Sequence, residues 1–320
     1  MRINFVMSNN VQSGIFNSLI GYFKKYLPSN VELFVTQHPI ENMDIYHYHR
    51  PNLEEKLKER SVVTVHHDLE DTDPWFDASK FIIRYHEADK IICLNSMQND
   101  FLLQNEGLSN TIVIPHGINN DIFSCNKRLP FTGKMVIGIV SKRYGRRVKG
   151  EALLSELYKR LDNQLIKFVF IGDGRSQDAV EAMSYGFEVE CNEALPYRMF
   201  NILYGSLDLL LVPSLFEGGP ANIPEALYTR LPIVGRKIAM ISDFVVEGEN
   251  GFFLTGEPDK DAQLINCLAK DENSIYSSLL ESINSNQTKV LTWSEVVRKT
   301  FNVYENIIVS YEDNAECIGE

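Results

Sequence analysis

The chain has 320 residues, 44% of them hydrophobic and 23% charged, with a formal net charge of −12, a length that suits two domains each able to bury its own core. The acidic balance excludes nucleic acid as a partner, because most of the surface would repel a polyanion, and any phosphate site must be local. Cys93, Cys125, Cys191, Cys267 and Cys317 are odd in number, far apart and without C-x-x-C spacing, which argues against a disulfide framework and against zinc, and for a reducing, cytoplasmic setting.

The opening MRINFVMSNN has too short an apolar run for a signal segment or a membrane span and reads as a buried strand, so membrane contact is at most peripheral. Short apolar runs ending in turn residues follow at Arg2–Met7, Val31–Val35, Asp44–His47, Val62–His66, Lys90–Leu94 and Thr111–Ile114 and predict strands. Between them lie stretches of helical period, such as Ile15, Leu19, Ile20 and Phe23, or Phe81, Ile82 and Tyr85. That alternation predicts parallel strands joined by right-handed helical crossovers.

SCNKRLPFTGK, after Phe123, is polar, carries Pro and Gly and has no period, which marks a linker. The pattern then restarts with predicted strands at Met135–Val140, Lys167–Ile171, Phe187–Val189, Asp208–Val212, Pro232–Val234 and Phe252–Leu254, and a helix at Glu151–Leu161. The apolar stripe Val296, Val297, Phe301, Tyr304, Ile307 and Ile308 predicts a closing helix over Trp293–Tyr311 that packs on one or both domains, with a frayed acidic tail beyond. The expected organisation is a first α/β domain over 1–125, a linker at 126–134, a second over 135–290, and a C-terminal helix and tail over 291–320.

The chemistry concentrates in LLLVPSLFEGGPANIPEALYTRLPIVG, Leu209 to Gly235. A buried strand ends at Pro213, and a Gly-rich loop holding Glu217, Gly218, Gly219 and Pro220 leads into a helix containing Glu225. Amides of such a loop approach a diphosphate or a sugar closely, since glycine puts no side chain in the way. A plainer reading is also open: Asn222 three residues before Glu225 has the spacing of a capping box.

This segment resembles the E-x7-E signature of glycosyltransferase family 4, the retaining group-1 enzymes of the GT-B fold. The resemblance implies two Rossmann-like domains facing across a cleft that holds the active site, with the C-terminal helix packing across the domains. It also implies transfer of a sugar from a nucleotide-diphosphate sugar to a hydroxyl of an acceptor that is a glycan, a lipid-linked glycan or a small molecule, with no cofactor and no metal. Glu217 then contacts hydroxyls of the donor sugar, the loop of Gly218, Gly219, Pro220 and Ala221 lines sugar and phosphate through its amides, and Glu225 binds the ribose hydroxyls.

VIGIVSKRYGRRVKG, Val136 to Gly150, resembles the family's G-R-L…K-G segment, with Arg143 and Lys149 at its arginine and lysine, which hold the donor diphosphate and stabilise the leaving group. Ser141-Lys142 replaces the usual small residue, and Arg146 and Arg147 add further charge; five bases between Lys142 and Lys149 on an acidic chain predict a local anion site. FVFIGDG, Phe168 to Gly174, matches the strand-turn that sets Gly172 and Gly174 beside the nucleotide. In the first half, Gly14 matches the glycine of the first strand-to-helix loop, where Ser13 stands in place of the family's first glycine, and His66 matches the histidine near donor sugar and acceptor, with His67 its competitor. His47, His49, His66 and His67 end two predicted strands, but His-x-His on a strand without a Cys or carboxylate pattern is poor zinc spacing. Other functions open on the same fold are a nucleotide-sugar epimerase, an inverting transferase with His66 or Asp68 as base, and a silent sugar-nucleotide-binding subunit.

Overall fold

The computed structural model describes residues 1–7 and 14–318, with their side chains except those of Ile15 and 314–318; Ser13 and the side chain of Cys317 lie outside the described residues. The chain divides into two compact units, one of residues 1–117 with 291–320, the other of residues 118–290.

The first unit runs β1 (Arg2–Val6), α1 (Gly14–Tyr26), β2 (Glu32–Thr36), β3 (Ile45–Tyr48), β4 (Ser61–Thr64), α2 (Ser79–Glu87), β5 (Lys90–Cys93), α3 (Ser96–Glu106) and β6 (Thr111–Val113). The second runs β7 (Met135–Val140), α4 (Glu151–Tyr158), β8 (Ile166–Ile171), α5 (Ser176–Ser184), β9 (Glu188–Asn192), α6 (Phe200–Ser206), β10 (Leu209–Val212), α7 (Asn222–Tyr228), β11 (Ile233–Arg236), α8 (Ala239–Phe244), β12 (Gly251–Leu254), α9 (Pro258–Ala269) and α10 (Ile275–Ser285), and α11 (Trp293–Ile318) closes the chain. Among the described residues this makes two six-stranded sheets, in the orders β2-β1-β3-β4-β5-β6 and β12-β11-β10-β7-β8-β9, and the strands pair in parallel throughout. Each predicted strand is present within a few residues of its expected limits.

The central strands are legible because both faces of each sheet are covered there, which makes their sequences near-continuous apolar runs; at the edges, β2, β6 and β9 are partly or largely exposed. In the first unit, Phe16, Leu19 and Phe23 of α1 pack with Val296, Val303 and Tyr304 of α11 on one face, and Phe81, Tyr85 and Leu102 of α2 and α3 pack on the other. The closing helix thus belongs to the first unit's core, its Trp293 ring stacked on Tyr22 at 4.6 Å. The acidic stretch after Tyr311, expected to fray, continues as helix to Ile318; it contains neither Gly nor Pro to stop it.

The expected linker is no free tether. Residues 118–134 belong to the second unit, and Arg128 fixes them there: its guanidinium donates to the carbonyls of Tyr204 and Leu207 at 2.5 Å each and of Thr229 at 3.1 Å, while its backbone exchanges hydrogen bonds with the Asn284 amide. Those carbonyls end α6 and α7, where a cation satisfies unpaired acceptors and the helix dipole together. The chain passes between the units at 117–118 and again at 290–291. Among the described residues no helix is long and apolar enough to cross a membrane.

Replacing Arg128 by Met keeps the stem and removes three donors from partly buried carbonyls. We expect it to destabilise the second unit by about 3 kcal/mol, read as a lower calorimetric melting temperature; an unchanged melt contradicts this role.

Candidate functional site

In the second sheet β7 and β10 are neighbours, so the loops leaving their C-terminal ends meet at one edge, the place where open parallel sheets bind ligands. The two loops are tied by Leu215 N–H donating to the Val148 carbonyl at 2.8 Å. Gly150 caps α4 with φ 82°, and a Cβ on it would stand 2.2 Å from the Pro213 carbonyl oxygen. Only glycine permits this approach, and it sets Lys149 opposite Glu217. Lys149 Nζ lies 2.6 Å from Glu217 Oε1, with the two side chains 13% and 9% exposed, and 5.6 Å above the Tyr144 ring. Gly218, Gly219 and Ala221 are partly exposed around this pair and Pro220 is buried.

Glu225 sits on α7 and is buried. Tyr197 Oη donates to its Oε1 at 2.7 Å and Tyr204 Oη to its Oε2 at 2.9 Å. Burial pushes the carboxyl up to about 7, against the pull of the two phenols. The capping-box arrangement is not formed: the helix cap falls on Ala221, and the Asn222 amide donates instead to the Val140 carbonyl at 2.9 Å, tying α7 to the end of β7.

Arg143 points toward α5. Its Nε is 3.2 Å from Asp178 Oδ1 and its guanidinium donates to Gln177 Oε1 at 2.7 Å. Behind it Arg175, fully buried, donates to Asp178 Oδ2 at 2.6 Å and to the carbonyl and hydroxyl of Ser141 at 2.8 Å each, with Glu151 Oε1 at 3.9 Å. The sequence reading missed this buried group; its visible signal is Arg175 and Asp178 one helical turn apart, directly after the Gly-Asp-Gly turn. Gly172 (φ 128°) and Gly174 (φ 80°) serve the same junction, since Cβ atoms there would stand 2.6 Å from the Ser141 carbonyl and 3.2 Å from Arg143 Cβ.

The histidines lie in the first unit. His66, just beyond β4, is half-buried, whereas His67 is buried with its ring 4.0 Å from that of Phe81. His66 Nε2 is 2.9 Å from His49 Nδ1, and His47 bridges Tyr304 Oη at 2.6 Å and Thr64 Oγ1 at 2.7 Å. Burial holds all four imidazoles below their ordinary range. Gly14 opens α1, exposed, with no described atom within 4 Å of where a Cβ would stand. Among the described residues no cluster of three or more His, Cys, Asp or Glu is arranged to hold a metal ion.

A sequence profile of the family described as glycosyl transferases group 1 matches residues 126–289, just over half the chain and the whole of this edge. An uncharacterised glycosyltransferase of Methanocaldococcus jannaschii is 25% identical over 236 residues, 69% of this chain and 60% of that protein. A glycogen synthase of Clostridium botulinum is 26% identical over 198 residues, 58% of this chain and 39% of the relative, so the chain spans less than two thirds of each of these relatives' lengths. The crystal structure of Anabaena HepE in complex with UDP and glucose superposes with a TM-score of 0.72 at 15% identity, covering 96% of this chain and all of that one (100%). At that identity the likeness shows the fold, the pair of Rossmann-like units expected of GT-B.

Glu225 has a consequence for stability. A carboxyl raised from 4.5 to about 7 on folding takes up a proton that stabilises the folded chain below the unfolded value, and this contribution is lost as pH rises through about 7. Glu225→Gln mimics the protonated form. We expect its stability relative to the parent to be about 2 to 3 kcal/mol more favourable at pH 8 than at pH 5. Parallel melts at the two pH values check it; an offset independent of pH contradicts a raised Glu225.

Proposed function

The chain belongs to the group 1 glycosyl transferases, and from that premise we propose that it is a retaining enzyme which moves a sugar from a nucleotide-diphosphate sugar to a hydroxyl of a saccharide or lipid-linked acceptor, without a metal ion. The observation that carries this reading is the Lys149–Glu217 pair at the C-terminal edge of β7 and β10, beside a Gly-rich loop and one helix from Glu225.

As the bond from the anomeric carbon to the donor phosphate breaks, negative charge grows on the departing diphosphate. Lys149 stabilises it: an ammonium has three donors, one is given to Glu217, and two are left for phosphate oxygens. Glu217 holds Lys149 in place and receives hydroxyls of the donor sugar. Amides of Gly218, Gly219 and Ala221 line the sugar and phosphate, with Pro220 fixing the loop. Glu225, whose two oxygens each accept one phenol, keeps further lone pairs for the ribose hydroxyls.

Gly172 and Gly174 flank the nucleotide through the junction they pack, and Gly14, without a side chain, lets the start of α1 approach the donor phosphate or the acceptor. Arg143 acts from a distance, since Asp178 and Gln177 hold its guanidinium. His66 contacts the sugar or the acceptor. Among the described residues no side chain of this edge is set as a nucleophile; the departing phosphate takes the acceptor proton on the face it leaves, which preserves the anomeric configuration.

Lys149→Ala is expected to lower kcat by a factor on the order of 10² to 10³. By calorimetry with free nucleotide diphosphates, Glu225→Ala should weaken binding by about one to two decades, while Glu217→Ala and His66→Ala leave it near the parent value and lower turnover. Equal weakening by the two glutamate variants would falsify this division of roles.

The diphosphate's charge is met by side chains, so transfer should persist in EDTA. Activity lost to the chelator and restored by manganese or magnesium overturns the metal-independent reading.

A further inference from the structure

His66 and His49 form a closed two-ring system whose proton count is fixed. Both imidazoles are neutral: burial is the main cause of their low proton affinity, and the neighbouring His47, His116 and Arg50 add to it. Two neutral rings carry two N–H groups. One lies in the 2.9 Å hydrogen bond between His49 Nδ1 and His66 Nε2, so the other sits either on His49 Nε2 or on His66 Nδ1.

The surroundings of the two outer nitrogens differ. His49 Nε2 is buried without a hydrogen-bond partner, in a ring stacked on His47 at 4.3 Å and set edgewise to Phe5 at 4.8 Å. The cavity of about 20 Å³ beside it is lined by apolar side chains, among them Leu19, Phe23 and Ile92, and also by Thr64, Thr300 and His116, none of which hydrogen-bonds His49 Nε2. A buried N–H without an acceptor is costlier and rarer than an unused acceptor lone pair. His66, by contrast, is half-buried, and among the described residues its Nδ1 takes part in no hydrogen bond. The spare proton therefore belongs on His66 Nδ1.

We propose that His49 is a positioning residue that donates its Nδ1–H to His66 Nε2 and so holds His66 as a hydrogen-bond donor through Nδ1, not as a base. His49 itself touches no substrate; its effect passes through the ring it orients. The functional half rests on the reading of His66 given above: His66 then donates to an oxygen of the sugar or acceptor, which fits a mechanism whose proton goes to the departing phosphate and argues against an inverting reaction with His66 as base. Phe16, set edgewise to His66 at 4.8 Å, helps hold the ring plane.

Histidine-selective ¹⁵N labelling with two-bond ¹H–¹⁵N correlation spectra reads the tautomer directly. The parent should show His66 protonated on Nδ1. His49→Phe keeps a ring and removes the donor, and His66 should revert to the Nε2–H form. His49→Asn, whose amide nitrogen occupies the Nδ1 position, should restore it. In the same variants kcat should fall about tenfold in His49→Phe and recover in His49→Asn, with the affinity for free UDP or GDP unchanged in both. His66 found protonated on Nε2 in the parent, or keeping its tautomer in His49→Phe, overturns the proposal. Because the first measurement is on the parent, it stands even where a variant fails to fold. His66→Ala that transfers at the parent rate overturns the role of His66, and the spectra then judge the His49 contact separately.

Discussion

The geometry of the candidate site depends on one close approach, that of Gly150 to the end of β10. Two parallel strands that neighbour each other but lie far apart in sequence send out loops in the same direction, and these loops must pack without a Cβ between them. With Gly150 against Pro213 and Leu215 hydrogen-bonded to Val148, Lys149 faces Glu217 through no special property of its own. A side chain at position 150 would push the loops apart by more than the pair's 2.6 Å separation tolerates, so the glycine, which touches no ligand in the proposed mechanism, constrains the chemistry as tightly as the lysine.

Behind this edge a second layer is built from buried charge. Arg175, Asp178 and Glu151 are each no more than 1% exposed. Arg175 and Asp178 are hydrogen-bonded to each other, while the Glu151 carboxylate has the Arg175 guanidinium 3.9 Å away and no hydrogen bond among the described residues. A buried ionic group persists where its hydrogen bonds are numerous. Arg175 supplies them by holding both the carbonyl and the hydroxyl of Ser141, the first residue of the basic loop. The loop is therefore anchored at one end by the Arg175 guanidinium and at the other by Gly150, which leaves Lys142 to Lys149 as a short span between two fixed points. Pre-organisation of this kind suits a site that must meet growing charge without rearranging.

What the sequence made legible follows from this division. The central strands were readable because burial on both faces writes itself as local apolar runs, and the Glu217 to Glu225 segment because its spacing is local too; the exposed edge strand β9 shares only Glu188 and Val189 with its expected limits. Contacts between distant segments left no such trace. The polar stretch around Arg128 has the composition of a linker, yet its guanidinium partners lie 76, 79 and 101 residues on. Arg143 was expected at the diphosphate, but Asp178, 35 residues away, competes for it. The two phenols on Glu225 come from a 3-10 turn at Tyr197–Met199 and from α6, and His49 entered the sequence reading only as a poor zinc ligand, because the pairing of β3 with β4 that brings it to His66 is a tertiary fact.

The electrostatics of the basic loop also change meaning. Five bases on a chain of net charge −12 suggest an open positive patch, but Lys142 pairs with Asp173, Arg143 with Asp178 and Lys149 with Glu217. All three acids lie outside the loop. The Lys142 pair is exposed and contributes little, whereas the Lys149 pair is shielded from water, where each charge is stronger and an unpaired one costly. In the proposed mechanism a diphosphate arriving at such a site does not add to bare positive charge. It shares a lysine already neutralised by Glu217, so tight binding of the nucleotide alone is not what this pair favours. In the proposed mechanism the lysine's remaining donors gain most when charge on the departing phosphate increases, and that is the step at which an interaction stronger in the transition state than in the ground state accelerates a reaction.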